Sequence, residues 1–104
     1  MATSRSYFEF ISDALSRLGD VSFRPMMGEY LIYYQGKLVG GIYDDRLLVK
    51  PTASAIVLLP NASRAIPYEG AKEMFLVEDP EDGEAMLRLF SAIASEVPAP
   101  KRKK

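Results

Sequence analysis

FRPMMGEYLIYYQGKLVGGIYDDRLLVKP, residues 23–51, is the stretch whose turns decide the fold. Glu29 to Tyr34 is a run of aromatic and aliphatic side chains suited to a pleated surface rather than a helix. Gln35-Gly36 has the composition of a tight turn, and Lys37 to Tyr43 follows as a second strand. Asp44-Asp45 makes a second turn before Arg46 to Lys50, and Pro51 ends the pairing. The two aspartates suit a turn because short acidic side chains hydrogen-bond to nearby backbone. Upstream, Val21 to Phe23 begins extended, and Pro25 keeps Arg24 out of the helical region.

Two-residue loops at both turns fix a register. Tyr33 lies opposite Leu38, Leu31 opposite Gly40, and Gly40 opposite Val49. One face then carries Leu31, Tyr33, Leu38, Ile42, Leu47 and Val49, and the other carries Tyr30, Ile32, Tyr34, Val39, Tyr43 and Leu48. Neither face is polar, whereas a sheet with one solvated side alternates apolar with polar. Both faces therefore need cover, at least in part. The expectation is that helices take the aliphatic face. Tyr30, Tyr34 and Tyr43 are then the candidate interface for another protein or for a second copy, since tyrosine joins apolar area to a polar tip. Terminal segments folded over the same side are the competing reading, and a register off by one residue would reassign the faces. Gly40-Gly41 marks a bulge or a close approach by a large neighbour; no phosphate-loop pattern surrounds it.

Working outward, Ser6 and Glu9 have the spacing of a capping box. Phe8, Ile11, Leu15 and Leu18 follow at helical spacing, so a helix is expected over Arg5 to Leu18, stopped by Gly19. Thr52 caps a short helix through Ala53 to Leu59, ended by Pro60, which is nearly all apolar and so expected to be buried. Arg64 to Tyr68, interrupted by Pro67, reads as an edge strand, and Glu73 to Glu78 as a stronger one. Asp79 is placed to cap a last helix with Pro80 in its first turn and Met86, Leu89, Phe90, Ile93 and Val97 as its buried stripe. The order is helix, three-strand meander, helix, two strands, helix. This is an α+β fold with an antiparallel sheet of about five strands and helices packed on it.

Composition narrows the chemistry. The 104 residues suffice for one domain, expected over residues 1–98, with 48% hydrophobic and 26% charged side chains. Cysteine and histidine are both absent. That removes thiolate nucleophiles, the commonest metal ligand and the side chain best suited to proton transfer near neutral pH, so no cofactor or metal is expected. The start of the chain lacks the apolar run of a signal peptide, and no stretch is long enough to span a bilayer, so a cytoplasmic protein without membrane contact is expected. Lys101, Arg102, Lys103 and Lys104 hold four of the 13 basic residues, which leaves residues 1–100 at nine basic against 14 acidic, a net of −5. Residues 99–104 are thus a basic, extended tail on an acidic body. The tail suits solubility, or a weak, salt-sensitive and sequence-blind contact with nucleic acid.

The run Arg24-Pro25-Met26-Met27-Gly28, then Leu31, Tyr33, Tyr34, Gly36 and Lys37, the Ile42 strand and Leu47-Leu48-Val49-Lys50 resemble the N-terminal domain of the TfoX/Sxy family, named for bacterial competence regulators. The resemblance covers nearly the whole chain, and Pro67-Tyr68-Glu69-Gly70 is similar to a stand-alone branch. It implies the α-β3-α-β2-α arrangement related to the secretion-chaperone-like fold, without the helical C-terminal domain of full-length competence regulators. Glu29 stands where the family often has a second glycine. The resemblance transfers no catalytic residue and no role in competence.

Three function classes follow. The first is a non-enzymatic interaction or regulatory module working through protein contacts. The others are a nucleic-acid accessory using the tail, and an enzyme built on carboxylate, Arg or Tyr groups without a recognisable motif. Arg24 and Glu29 are the candidate ligand or partner contacts. The structural alternative for Arg24 is that its guanidinium ties the first strand to nearby carbonyls or to Glu29.

Overall fold

The computed structural model describes residues 3–97. Helix α1 (Arg5–Leu15) runs into a 3-10 turn at Ser16–Leu18 and is followed by β1 (Val21–Met26), β2 (Glu29–Tyr34), β3 (Lys37–Ile42) and β4 (Leu47–Val49). Then come α2 (Ala53–Leu58), β5 (Arg64–Ala65), β6 (Met74–Leu76) and α3 (Gly83–Glu96). The class is α+β as expected, but the antiparallel sheet has six strands, in the order β1-β2-β3-β4-β6-β5.

The additional strand is β1. Met27 and Gly28 both have positive φ, at 52° and 87°, and form a tight turn of the same kind as Gln35-Gly36 and Asp44-Asp45. Positive φ at both central residues matches the right-handed twist of a two-residue hairpin. Pro25 does not break β1, and the ladder shows why. The Gln35 N–H donates to the Asp20 carbonyl at 2.8 Å, which sets the alternation so that Ser22, Arg24 and Met26 bond to β2. Pro25 therefore points its missing N–H away from the sheet, on an edge where it costs no ladder bond and blunts further pairing.

Tyr33 pairs with Leu38 and Gly40 with Val49, as the turns imply, but Leu31 pairs with Gly41 rather than Gly40. A bulge between the Ile32 and Tyr33 pairs leaves Val39 as an extra residue in β3. One extra residue reverses the facing of everything after it. Ile42, Leu47 and Val49 thereby join Ile32, Tyr34 and Val39 in the core, while Leu48 turns to the opposite face with Gly41, its partner across the ladder.

The two adjacent glycines have separate causes. A Cβ on Gly40 would collide with the Leu48 carbonyl oxygen and stand 2.9 Å from Val49 Cα, whereas one on Gly41 would meet the Tyr43 ring at 2.6–2.7 Å. The first permits the bulge, and the second gives a tyrosine room to lie on the sheet.

All three helices pack on one face, with Ile11 and Leu15 of α1, Ala55 of α2, and Met86, Leu89, Phe90, Ile93 and Ala94 of α3 in a single cluster with the sheet. The covered face is the one bearing Tyr30 and Tyr34, not the aliphatic face of the simple register. Tyr30 stacks on Phe8 with ring centroids 3.9 Å apart, and Tyr34 sits 6.1 Å from Phe90. The bulge is the physical reason, because it brings three aliphatic residues of β3 and β4 round to the tyrosine side.

Helix starts also move. The Ser4 side chain, not Ser6, accepts from the Tyr7 N–H at 3.2 Å and caps α1. Asp82, not Asp79, caps α3 by accepting from Ala85 N–H at 3.1 Å. Thr52 caps α2 as expected, accepting from Ala55 N–H at 3.2 Å. β5 is an edge strand of two residues.

Candidate functional site

The residues singled out in the sequence fall in three separate settings. Arg24 lies exposed on the edge strand β1, opposite Leu31. Among the described residues the ion pairs are Arg5–Glu9 and Arg64–Glu73, so the expected tie from Arg24 to Glu29 is not formed.

Glu29 is committed elsewhere. Its Oε1 accepts from the Thr3 hydroxyl at 2.7 Å and from the Asp44 N–H at 3.0 Å. Thr3 Oγ1 in turn accepts from the Asp45 N–H at 3.3 Å, and the Asp45 carboxylate accepts from the Ser4 N–H at 2.8 Å. With the Thr3 N–H donating to the Gly28 carbonyl at 3.0 Å, this network fastens the start of α1 to two hairpin turns. Glu29, Asp44 and Asp45 therefore carry structural work, and Thr3, 8% exposed, is the buried link between them.

The three tyrosines of the expected interface do not form one. Tyr34 and Tyr43 are each 5% exposed and Tyr30 is half-buried under Phe8, so none of them offers a free docking surface. Tyr43 lies on the opposite side from the other two, with the distal end of its ring on Gly41 and its centroid 6.0 Å from that of Tyr68. Burial pushes its phenol up to about 12, with Tyr68, Glu29 and Tyr33 adding to the shift. Lys101, Arg102, Lys103 and Lys104 lie outside the described residues.

A hollow of about 310 Å³ lies beside Thr3 and Tyr30, and hollows open at three further places. One of about 420 Å³ opens beside Tyr43, between Leu38, Lys50, Tyr68 and Met74. A second, about 350 Å³, lies between the end of α2 and the start of α3, with Glu78, Asp79 and Asp82 on its wall. Asp82 is occupied in capping α3. The third, about 380 Å³, is a shallow groove between α2 and α3 lined by Ala53, Ser54, Val57, Leu58, Arg88, Ala92 and Glu96.

Beside the third hollow the structure departs most from the sequence reading. α2 is not buried: Ile56 is 51% and Val57 74% exposed, and Ala55 is its fully enclosed residue. Six residues at 3.6 per turn present one side to α3 and the core, so Ile56 and Val57 face outward. The helix is held in place at its start by α3. The Ser54 N–H donates to Glu96 Oε1 at 3.0 Å and the Ser54 hydroxyl donates to Oε2. These bonds hold the Glu96 carboxyl below its ordinary value, the side-chain bond being the larger cause. An outward Ile-Val pair on a helix whose start a neighbour has fixed in position is an apolar projection, with the groove beside it.

The architecture defines a class: a small α+β domain with three helices on one face of a six-stranded antiparallel sheet whose first four strands form a three-turn meander. The family model described as "TfoX N-terminal domain" matches residues 13–92. The chain is also 35% identical over 105 residues to an "Uncharacterized 12.7 kDa protein in trpE 5'region" of Spirochaeta aurantia, an alignment covering 100% of this chain and 91% of that protein. The chain belongs to the TfoX N-terminal domain family. Neither description names an activity. Among the described residues no helix is long and apolar enough to cross a membrane.

Proposed function

We propose that this domain is a non-enzymatic interaction or regulatory module that works through protein–protein contacts, with another protein or with a second copy of itself. The observation that carries the reading is the pair Ile56 and Val57, exposed side by side on a helix next to the α2–α3 groove. Apolar side chains scattered singly on a surface need no explanation, but adjacent ones beside a groove are what a partner's side chains fill. Family membership supports a regulatory role, and the lack of histidine and cysteine supports a role without catalysis. The contact surface is thus on the helical side of the molecule rather than on the tyrosines.

The test is affinity capture from the source cell with the wild-type chain and with Ile56→Glu/Val57→Glu, alongside sedimentation of each purified protein. The expected result is a protein retained by the wild type, or a concentration-dependent dimer, that the folded double variant loses. Identical capture and identical sedimentation for the two chains would refute the proposal.

A further inference from the structure

The hollow beside Tyr43 shares no lining residue with the α2–α3 groove and lies on the other side of the sheet. Its parts come together for reasons already described. Leu38 lies on the face that the helices leave open. Lys50 directly follows Val49, the last residue of β4, and Met74 directly precedes Phe75, the ladder partner of Val49. Tyr68 comes from the segment between β5 and β6, which is fastened over this face where Arg46 Nη2 donates to the Ile66 carbonyl at 3.2 Å. Leu38, Met74 and the two tyrosine rings give the hollow an apolar floor and wall.

Two features give the hollow a chemical preference. The first is the Tyr43 hydroxyl. Tyr43 is 95% buried by its 5% exposure, and its hydroxyl has no hydrogen-bond partner among the described residues. No fully enclosed side-chain polar atom among them lacks a partner, so this hydroxyl opens onto accessible space. With its tip on Gly41 the ring points back along β3 toward Gly40 and Leu38, both of which line the hollow. Its O–H is protonated at neutral pH as in any tyrosine, and burial pushes its pKa further up, to about 12. It is a donor, free of any protein partner among the described residues, that a ligand's acceptor can take over from water.

The second feature is the charge at the rim. Lys50, Lys72 and Glu73 line the mouth, and Glu73 is engaged by Arg64 at 3.7 Å while neither lysine has an ion pair among the described residues. The rim is positive on a body whose first 100 residues are net −5. An acidic protein that gathers two unpaired lysines at the mouth of an apolar hollow holds an anion-attracting spot against its overall field.

We propose that this hollow binds a small organic acid with an apolar body: the body rests on Leu38 and Met74, the carboxylate is drawn to Lys50 and Lys72, and the Tyr43 hydroxyl donates to an acceptor. A volume of about 420 Å³ is within the range of small-molecule sites and admits a chain of several carbons or a single ring.

The site can be probed with octanoate, and with octylamine as the cationic match of equal length, by following the Leu and Met methyl resonances of the full chain. Octanoate is expected to shift the Leu38 and Met74 methyls saturably, and octylamine to leave them in place. Lys50→Gln/Lys72→Gln is expected to weaken octanoate binding about tenfold without unfolding the domain, both side chains being at the rim. Tyr43→Phe is expected to weaken it by a smaller factor. The proposal is overturned if the Leu38 and Met74 methyls stay fixed at millimolar octanoate, or if octylamine moves them equally. It is also overturned if the folded lysine variant binds as well as the wild type.

Discussion

α2 and α3 pack against each other, yet they treat their outer surfaces in opposite ways. α3 has 14 residues, buries Met86, Leu89, Phe90, Ile93 and Ala94, and turns Glu84, Arg88, Ser95 and Glu96 outward, with Leu87, 41% exposed, as its one large apolar side chain there. α2 has six residues, encloses Ala55, and turns Ile56 and Val57 outward. A helix long enough for a full apolar stripe can reserve its other face for water. A single turn and a half has no such reserve, and its apolar surplus is left for something outside the chain. The comparison separates a helix that builds the core from one that the core displays.

The largest effect should come from the α3 side. Phe90, 0% exposed and packed against Tyr34, is expected to cost about 3–5 kcal/mol on truncation to alanine, read as a fall in denaturation midpoint. Leu58 of α2 packs only partly against the core, and Leu58→Ala should cost about 1–2 kcal/mol in the same assay. If the two losses were equal, α2 would be as much a core element as α3.

The Glu96–Ser54 link sharpens the contrast through pH. A carboxyl whose folded pKa lies below its unfolded one contributes stability above the unfolded value, and that contribution is lost as pH falls through the folded value. Glu96→Gln should therefore lower stability at neutral pH by a small amount, and the difference from wild type should disappear in acid. A gap that persisted unchanged at low pH would assign the loss to something other than the carboxylate. The smallest expected effect is that of Val57→Glu on stability, within about 0.5 kcal/mol of wild type, because the side chain is 74% exposed.

The two helices also mark what the sequence can disclose. The α3 stripe Met86, Leu89, Phe90, Ile93 and Val97 was readable because four turns of helix repeat one message, and all five residues are buried. The meander turns at Gln35-Gly36 and Asp44-Asp45 were readable from local chemistry, as was the family resemblance carried by Arg24 to Gly28. The faces of the sheet were not. A single extra residue at Val39 decides them, and Gly40 signalled a bulge without fixing where the count would slip. Pro25 obscured β1 because a proline in a strand is acceptable only when its nitrogen faces an open edge, which depends on register. The outward Ile56 and Val57 were hidden for a different reason: composition says that a segment is apolar, but only packing says which side finds a partner within the chain. The hollow at Tyr43 has no linear signal, since Leu38, Lys50 and Tyr68 meet only when the β5–β6 segment folds over the sheet.

The most direct test of the contact surface is photo-crosslinking in the source cell, with p-benzoylphenylalanine placed at Val57 of α2 in one chain and at Glu84 of α3 in another. A discrete adduct, to a second copy or to another protein, is expected from position 57 and not from position 84. Equal adducts from both positions, or an adduct from 84 alone, would contradict the assignment of α2 as the helix through which this domain meets its partner.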